Sequence, residues 1–250
     1  MPEIYKIATL NINGMATRPR IAMLEDVLQK QEIDMIFPYE VTEPFFDGIR
    51  GFPAYTKIGT TGWGTAILTR DHIQLTNILC LPTGRGMAAN FQNVTIVNIY
   101  APSGAERMDR ENFFSNELPY LLRGIPPSLL VGGDINSVFT NPDATGHPNY
   151  SRALQQFIRG LDLVDMLEAS QERATYTHYT TRETWRIDRI YSYLSRKLSR
   201  QKRGPVTRVV VLTDYLAVVI RLAREATTLR RGLSYWKMNT ALLREDSFQE

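Results

Sequence analysis

Polar side chains sit where this sequence is otherwise apolar. Asn11 lies inside or just after the run IYKIATLNI, Glu40 ends IFPYE, and Tyr100 ends VNIY. Asp134 and Asn136 follow LLVGG, Asp188 sits within WRIDRI, and Thr213 and Asp214 interrupt VVVLTDYLAVV. A buried carboxylate without a partner costs on the order of several kcal/mol. Glu40, Asp134, Asp188 and Asp214 are best explained if they converge on cations or hydrogen-bond donors. Hard oxygen ligands of this kind suit Mg²⁺ or a similar ion and not zinc. A zinc spacing is absent, because there is one cysteine and the three histidines are scattered. No Walker motif or paired-glycine dinucleotide fingerprint occurs, and Gly132-Gly133 runs directly into Asp134. Each residue alone also has a bland reading. Asn11, Asp134 and Asn136 suit turns, Glu40 suits the start of a loop, and Asp188 suits an ion pair with Arg186 or Arg189. Tyr100 suits a half-buried sheet position.

These residues need strands to hold them. IYKIATLNI, DMIFPYEV, GTAILT, NVTIVNIYAP, SLLVGGDIN, TWRIDRIY and VVVLTDYLAVVIRL are rich in Ile, Val, Leu and Tyr and are bounded by Gly, Pro, Asn or Asp. Helical spacing marks Arg20 to Lys30, with Ile21, Leu24 and Leu28 on one face. It also marks Asp109 to Leu122 and Ser151 to Gly160, the last with Ser151 as N-cap and Gly160 as C-cap. Strands outnumber helices, and several neighbouring strands lack a helix between them. The expected fold is therefore α/β, with two packed, mostly antiparallel sheets flanked by helices. No linker interrupts residues 1–225, which predicts one domain there. Residues 226–250 read as an extension leaving it.

The composition is globular, with 43% apolar and 22% charged residues, and excludes disorder, collagen and coiled coil. The single cysteine, Cys80, excludes an intramolecular disulfide framework. No apolar run reaches the ~20 residues of a membrane helix. The net charge of +3 is unevenly placed. Residues 1–181 hold 14 Lys/Arg against 19 Asp/Glu, and residues 182–237 hold 14 against 4. A basic third on a slightly acidic body points to a polyanion partner, with nucleic acid first and a merely solvated basic face as the alternative.

The order of these pieces resembles the exonuclease–endonuclease–phosphatase superfamily. More closely, it resembles the endonuclease domain of LINE-type (non-LTR) retrotransposons, relatives of apurinic/apyrimidinic endonucleases. The resemblance rests on LNING at 10–14, YE at 39–40, NIYAPSG at 98–104, GGDINS at 132–137, YTH at 176–178, RIDRI at 186–190 and TDYLAV at 213–218. The tail SYWKMNTALL resembles the segment that leads such endonucleases toward a reverse transcriptase. The resemblance implies a four-layered α/β sandwich. It also implies an enzyme that uses Mg²⁺ or Mn²⁺ to nick double-stranded DNA in the nucleus. The nick leaves a 3′ hydroxyl that primes reverse transcription, with the element RNA and the reverse transcriptase region of the same polyprotein as partners.

Carried over by position, Glu40 binds the metal with Asn11 beside it. Asp134 activates the attacking water and Asn136 helps orient it. Tyr100 and Thr177 contact the phosphate or its surroundings. Asp188 orients the residue at position 215, and Asp214 supports the metal and phosphate end. The stretch THYTTRETW resembles a DNA-probing hairpin, in which Tyr179, Arg182 and Trp185 contact DNA. Arg196, Lys197, Arg200, Lys202 and Arg203 suit phosphate contacts, which give affinity but not sequence choice. Arg18 and Arg20 are a second candidate.

Two positions depart from the family. Tyr215 stands where the family usually has His, and a phenol with a pKa of about 10 is neutral at pH 7. Losing a charged donor at a transition state costs on the order of a hundredfold in rate. An inactivated copy, an introduced substitution and a natural variant that works with a phenol all remain open, as does rescue by His178. Tyr39 stands where the family usually has Gln, and is expected to crowd or reshape the metal shell. The competing functions are a DNA-binding module with little or no catalysis, a host abasic-site repair endonuclease, and, more distantly, a phosphoesterase of a small molecule or lipid.

Overall fold

Strands buried on both faces read as unbroken apolar runs, and the central strands here are of that kind. The computed structural model describes residues 3–14, 17–43, 49–103, 107–122, 127–167, 176–193, 209–210 and 216–224. The first sheet contains β1 (Glu3–Asn11), β2 (Met35–Val41), β3 (Ala54–Ile58), β4 (Gly64–Thr69), β13 (Val209–Val210) and β14 (Leu216–Arg224), in the order β13-β14-β1-β2-β4-β3. The second contains β5 (Thr76–Cys80), β6 (Gly86–Phe91), β7 (Val94–Tyr100), β8 (Leu129–Asp134), β9 (Val164–Asp165) and β12 (Asp188–Tyr193), in the order β5-β6-β7-β8-β12-β9. β10 (His178–Tyr179) and β11 (Thr184–Trp185) form a separate hairpin. The pairs β1–β2 and β7–β8 are parallel, and the other described pairs are antiparallel.

Side-chain alternation along each strand separates three apolar layers. Ile7, Phe37, Ile67, Ile96, Leu130 and Ile190 meet between the sheets. Ala8, Leu10, Ile36 and Leu68 face the other way, against Leu24 and Leu28 of α1 (Arg18–Lys30). Val97, Ile99 and Val131 pack on two helical regions. One is the continuous run of α2 (Arg107–Asn112), a π-helical turn (Phe113–Glu117) and α3 (Leu118–Leu122), and the other is α4 (Arg152–Gly160). The result is the helix–sheet–sheet–helix sandwich that the sequence predicts. Ser151 caps α4 as expected, accepting the Leu154 N–H at 3.1 Å. The helix runs through Gly160 and ends at Leu161, one residue later than the sequence suggests. Among the described residues, no helix is long and apolar enough to cross a membrane.

Two features bring the sheets close near the polar residues. Gly132 faces Phe37 of the opposite sheet, and a Cβ there would lie 2.9 Å from the Phe37 ring. Asn98 is fully buried, and its Nδ2 donates to the carbonyls of Pro38 and Ala66, both at 2.7 Å. Ile36 pairs with Leu68 and Tyr39 with Thr65, so Pro38 lies opposite Ala66. Proline has no N–H to give a central ladder. The Asn98 amide, reaching across the sandwich, supplies a donor at that gap.

Candidate active site

The alternation that buries Ile96, Leu130 and Ile190 between the sheets carries Tyr100, Asp134 and Asp188 onto the same face. Tyr100 pairs with Asp134, and Asp134 with Asp188, so the three form one lateral row across β7, β8 and β12. On the facing sheet Asn11 pairs with Tyr39 across β1 and β2. Residues from distant parts of the chain thus meet at one rim of the sandwich.

Glu40 reaches that rim through a backbone irregularity. Met35 and Phe37 face the inter-sheet core and Ile36 faces α1, yet Val41 also faces α1, on the opposite side from Tyr39. The pairing with β4 shifts between Tyr39 and Val41, and Glu40 is the extra residue, with φ +55°. Bulges of this type bend a strand and re-aim a side chain. The bend is pinned by the Ile12 N–H bonding to the Tyr39 carbonyl at 3.1 Å and the Gly14 N–H to the Glu40 carbonyl at 2.8 Å. Asn11 is fully buried, and its Oδ1 accepts the Asn13 N–H at 2.8 Å.

Asp134 is buried and held by Asn136, whose own φ is +47°. The Asn136 N–H donates to Oδ1 at 2.7 Å and its Nδ2 to Oδ2 at 3.0 Å. The same Nδ2 reaches the Ala101 carbonyl at 2.8 Å, tying the GDIN segment to NIYAP. Burial, then the charges of Asp188 and Glu40, push the Asp134 carboxyl well above the usual carboxylate range. Burial also pushes Asp188 up to about 7, against the hydrogen bonds of Thr177 and Tyr39 and with the help of Glu40. The Tyr100 phenol is pushed up to about 12 by burial, Glu40 and Asp134, so it keeps its proton. An Arg85 guanidinium lies 5.3 Å from the Tyr100 ring centre.

Asp188 does not pair with Arg186 or Arg189. Those guanidinium groups face away and bind Asp143 and Asp165. Arg186 lies 2.9 Å from Asp143 and 3.4 Å from Asp165, Arg189 lies 2.6 Å from Asp143, and Arg189 also contacts Asp165. Tyr39 packs between the two sheets beneath the rim. It is fully buried, stacks 6.2 Å from Tyr100 at 20°, and donates its hydroxyl proton to Asp188 Oδ1. Asp188 Oδ2 is buried without a hydrogen-bond partner among the described residues.

Thr177 does not present its hydroxyl to the outside. It is 1% exposed and accepts the N–H groups of Ile187 at 3.2 Å and Asp188 at 3.1 Å, so it shapes the entry to β12. His178 is stacked on Trp185 within the β10–β11 hairpin, 5.4 Å between ring centres. Arg182 and Tyr179 are exposed on that hairpin and Trp185 is half-buried. Arg18 is exposed at the start of α1, and Arg20 is half-buried. Thr213, Asp214, Tyr215, Arg196, Lys197, Arg200, Lys202, Arg203 and the 226–250 extension lie outside the described residues. Sequence reasoning missed Asn98, the buried Arg186–Arg189–Asp143–Asp165 group and the role of Tyr39. The signals present were the two arginines around Asp188, the departure at Tyr39 and the place of Asn98 in NIYAPSG.

The donor set suits a hard cation. Glu40 and Asp188 raise the charge cost of Asp134, Glu40 raises that of Asp188, and the Arg186 and Arg189 guanidinium groups are committed to Asp143 and Asp165. Among the described residues no cluster of three or more His, Cys, Asp or Glu side chains is arranged to ligate a metal. One or two carboxylates with an amide beside them are what Mg²⁺ uses, since it keeps several waters and takes further oxygens from a substrate phosphate.

No curated protein is significantly similar in sequence. Solved structures share the fold at low identity. An AP endonuclease from Archaeoglobus fulgidus superposes with a TM-score of 0.70 at 17% identity, covering 86% of this chain and 98% of that one. The endonuclease domain of TRAS1, a telomere-specific non-LTR retrotransposon, gives 0.63 at 16% identity, with coverage of 88% and 98%. A 3′ phosphatase from Neisseria bound to a product DNA hairpin gives 0.65 at 19% identity, with coverage of 86% and 98%. A sequence profile of the Endonuclease/Exonuclease/phosphatase family matches residues 8–235, and the chain belongs to that family.

Proposed function

We propose that this protein is a divalent-metal-dependent endonuclease that nicks double-stranded DNA and leaves a 3′ hydroxyl. The observation that carries the reading is the row Tyr100–Asp134–Asp188 facing Asn11 and Glu40 across the sandwich rim. Glu40, with Asn11 beside it, would hold Mg²⁺ or Mn²⁺, which when bound neutralises a phosphate oxygen and the charge developing on the leaving group. Asp134 takes a proton from the attacking water. Its raised proton affinity favours that role. Asn136 fixes the orientation of the Asp134 carboxylate through two hydrogen bonds. The protonated Tyr100 phenol donates to a phosphoryl oxygen. The hydroxide attacks phosphorus, the bond to the 3′ oxygen breaks, and that oxygen leaves with a proton from solvent. Arg182, Tyr179 and Trp185 on the hairpin, Arg18 at α1 and the basic segment around Arg196, Lys197 and Arg200 contact the DNA.

The sequence motifs favour a retrotransposon role, in which the nick primes reverse transcription in the nucleus beside element RNA and a downstream reverse transcriptase. Supercoiled plasmid incubated with the protein and Mg²⁺ tests the chemistry. Open circles that vanish with EDTA and with Asp134→Ala support it, and no nicking with any divalent metal refutes it. Tyr215 favours a second reading, a DNA-binding module with weak catalysis, which predicts salt-sensitive binding and nicking gained by Tyr215→His. A strong preference for an oligonucleotide bearing one abasic analogue would instead favour repair.

A further inference from the structure

The side chain of Tyr39 is fully buried, and its oxygen is engaged. A buried phenol hydroxyl is costly unless bonded. This one crosses from the first sheet to the second and donates to Asp188 Oδ1. Asp188 is fully buried, and both arginines beside it in sequence are bound to Asp143 and Asp165. Tyr39 donates to the Asp188 carboxylate, while the Thr177 hydroxyl accepts the Asp188 N–H. The Tyr39 ring also lies on Tyr100. Its backbone carbonyl holds Ile12, the residue after Asn11, and its neighbour Glu40 is the bulged residue. Four members of the site therefore reach Tyr39: Asp188 by a hydrogen bond, Tyr100 by ring contact, and Asn11 and Glu40 through the chain.

We propose that the Tyr39 hydroxyl is a positioning group of the reaction. It fixes the orientation of Asp188 and the spacing between the Asp134 row and the Glu40 bulge, without touching DNA itself. Shape alone would be satisfied by phenylalanine, so the oxygen is what distinguishes this role from packing. Removing it leaves Asp188 free to rotate under the row, while the DNA-facing surface is unchanged. Misplacing catalytic groups by about 1 Å costs on the order of a hundredfold in rate. The inference rests on the nuclease reading and goes beyond it.

The test measures single-turnover nicking and DNA affinity for the full chain and three variants: Tyr39→Phe, Asp188→Asn and the double variant. Tyr39→Phe is expected to slow nicking roughly tenfold to a hundredfold and to leave DNA affinity within about twofold. The double variant removes the Tyr39 hydroxyl and the Asp188 charge together, so it leaves no buried charge without its donor and should fold at least as well as Tyr39→Phe. It should nick no more slowly than the slower single variant, because the two changes remove one interaction. A Tyr39→Phe rate within about twofold of the unaltered chain, losses that multiply in the double variant, or an equal loss of DNA affinity would each overturn the inference. A lack of nicking by the unaltered chain would overturn the nuclease reading and this inference with it, and that outcome is distinct from nicking that ignores Tyr39.

Discussion

Asp134 and Asp188 are buried acids whose charge Glu40 opposes. Each binds its proton more tightly in the folded chain than in the unfolded one, Asp188 with a pKa of about 7. Between the ordinary carboxylate value of about 4 and about 7, the folded state therefore holds more protons than the unfolded state. Stability must fall as pH rises through that window. The metal-free protein should melt at a lower temperature at pH 8 than at pH 5, and Mg²⁺ should recover part of the loss at pH 8. Asp134→Asn should raise the melting temperature in EDTA at pH 8 while abolishing nicking, because it removes the repulsion together with the base. Scanning calorimetry at the two pH values checks both. A melting temperature for Asp134→Asn below that of the unaltered chain would contradict this reading. Asp134, Asn136 and Glu40 were legible in the sequence because each is an unexpected polar group at the end of an apolar run. The partner of Asp188 was not, since flanking arginines are the obvious partners on paper. Strand alternation sends Arg189 to the opposite face, and Arg186 bonds to Asp143, so neither reaches it.

At the scale of elements, the Arg186–Arg189–Asp143–Asp165 group joins the start of β12 to β9 and to the turn Asn141–Asp143. It thereby holds the β10–β11 hairpin against the sandwich, since Arg186 also gives its N–H to the Asp143 carbonyl at 2.8 Å. Breaking a buried ion network from one side leaves uncompensated charge and costs about 3–5 kcal/mol. Asp143→Ala should lower unfolding stability in urea by that order. A loss under about 1 kcal/mol would mean the group behaves as a solvated surface pair. The charges of Arg189 and Arg186 hold the Asp143 carboxyl below its ordinary value despite burial. Its contribution is therefore present above the unfolded pKa and is lost as pH falls through the lower folded value. None of this spacing was readable, because Asp143 and Asp165 sit in segments without a periodic pattern. The Glu40 bulge was likewise invisible, as PYEV reads as uninterrupted strand and the extra residue shows only in pairing with β4. Edge strand β5 escaped notice for a related reason: its first three residues are exposed, so TNILC lacks the double-sided burial that marked the central runs.

At the scale of the molecule, the fold class followed from counting strands without intervening helices, and the layered sandwich agrees. The asymmetric charge has a bearing on association with DNA. Phosphate contacts release counterions, so affinity falls with salt and each lost contact reduces the slope by roughly one. Arg182 is exposed at the hairpin. Arg182→Ala should weaken duplex binding several-fold, flatten the salt dependence by about one, and leave the melting temperature unchanged. Fluorescence anisotropy across a salt series checks this, and an unchanged slope would move the DNA path away from the hairpin.

The account turns on the two sheets supplying different halves of one site: Glu40 for the metal, Asp134 for the water. The dependence of the single-turnover nicking rate on Mg²⁺ concentration separates these roles. Glu40→Ala should need on the order of tenfold or more additional Mg²⁺ to reach half its maximal rate, while Asp134→Ala should remain slow at every concentration. A Glu40→Ala curve that overlays that of the unaltered chain would contradict it.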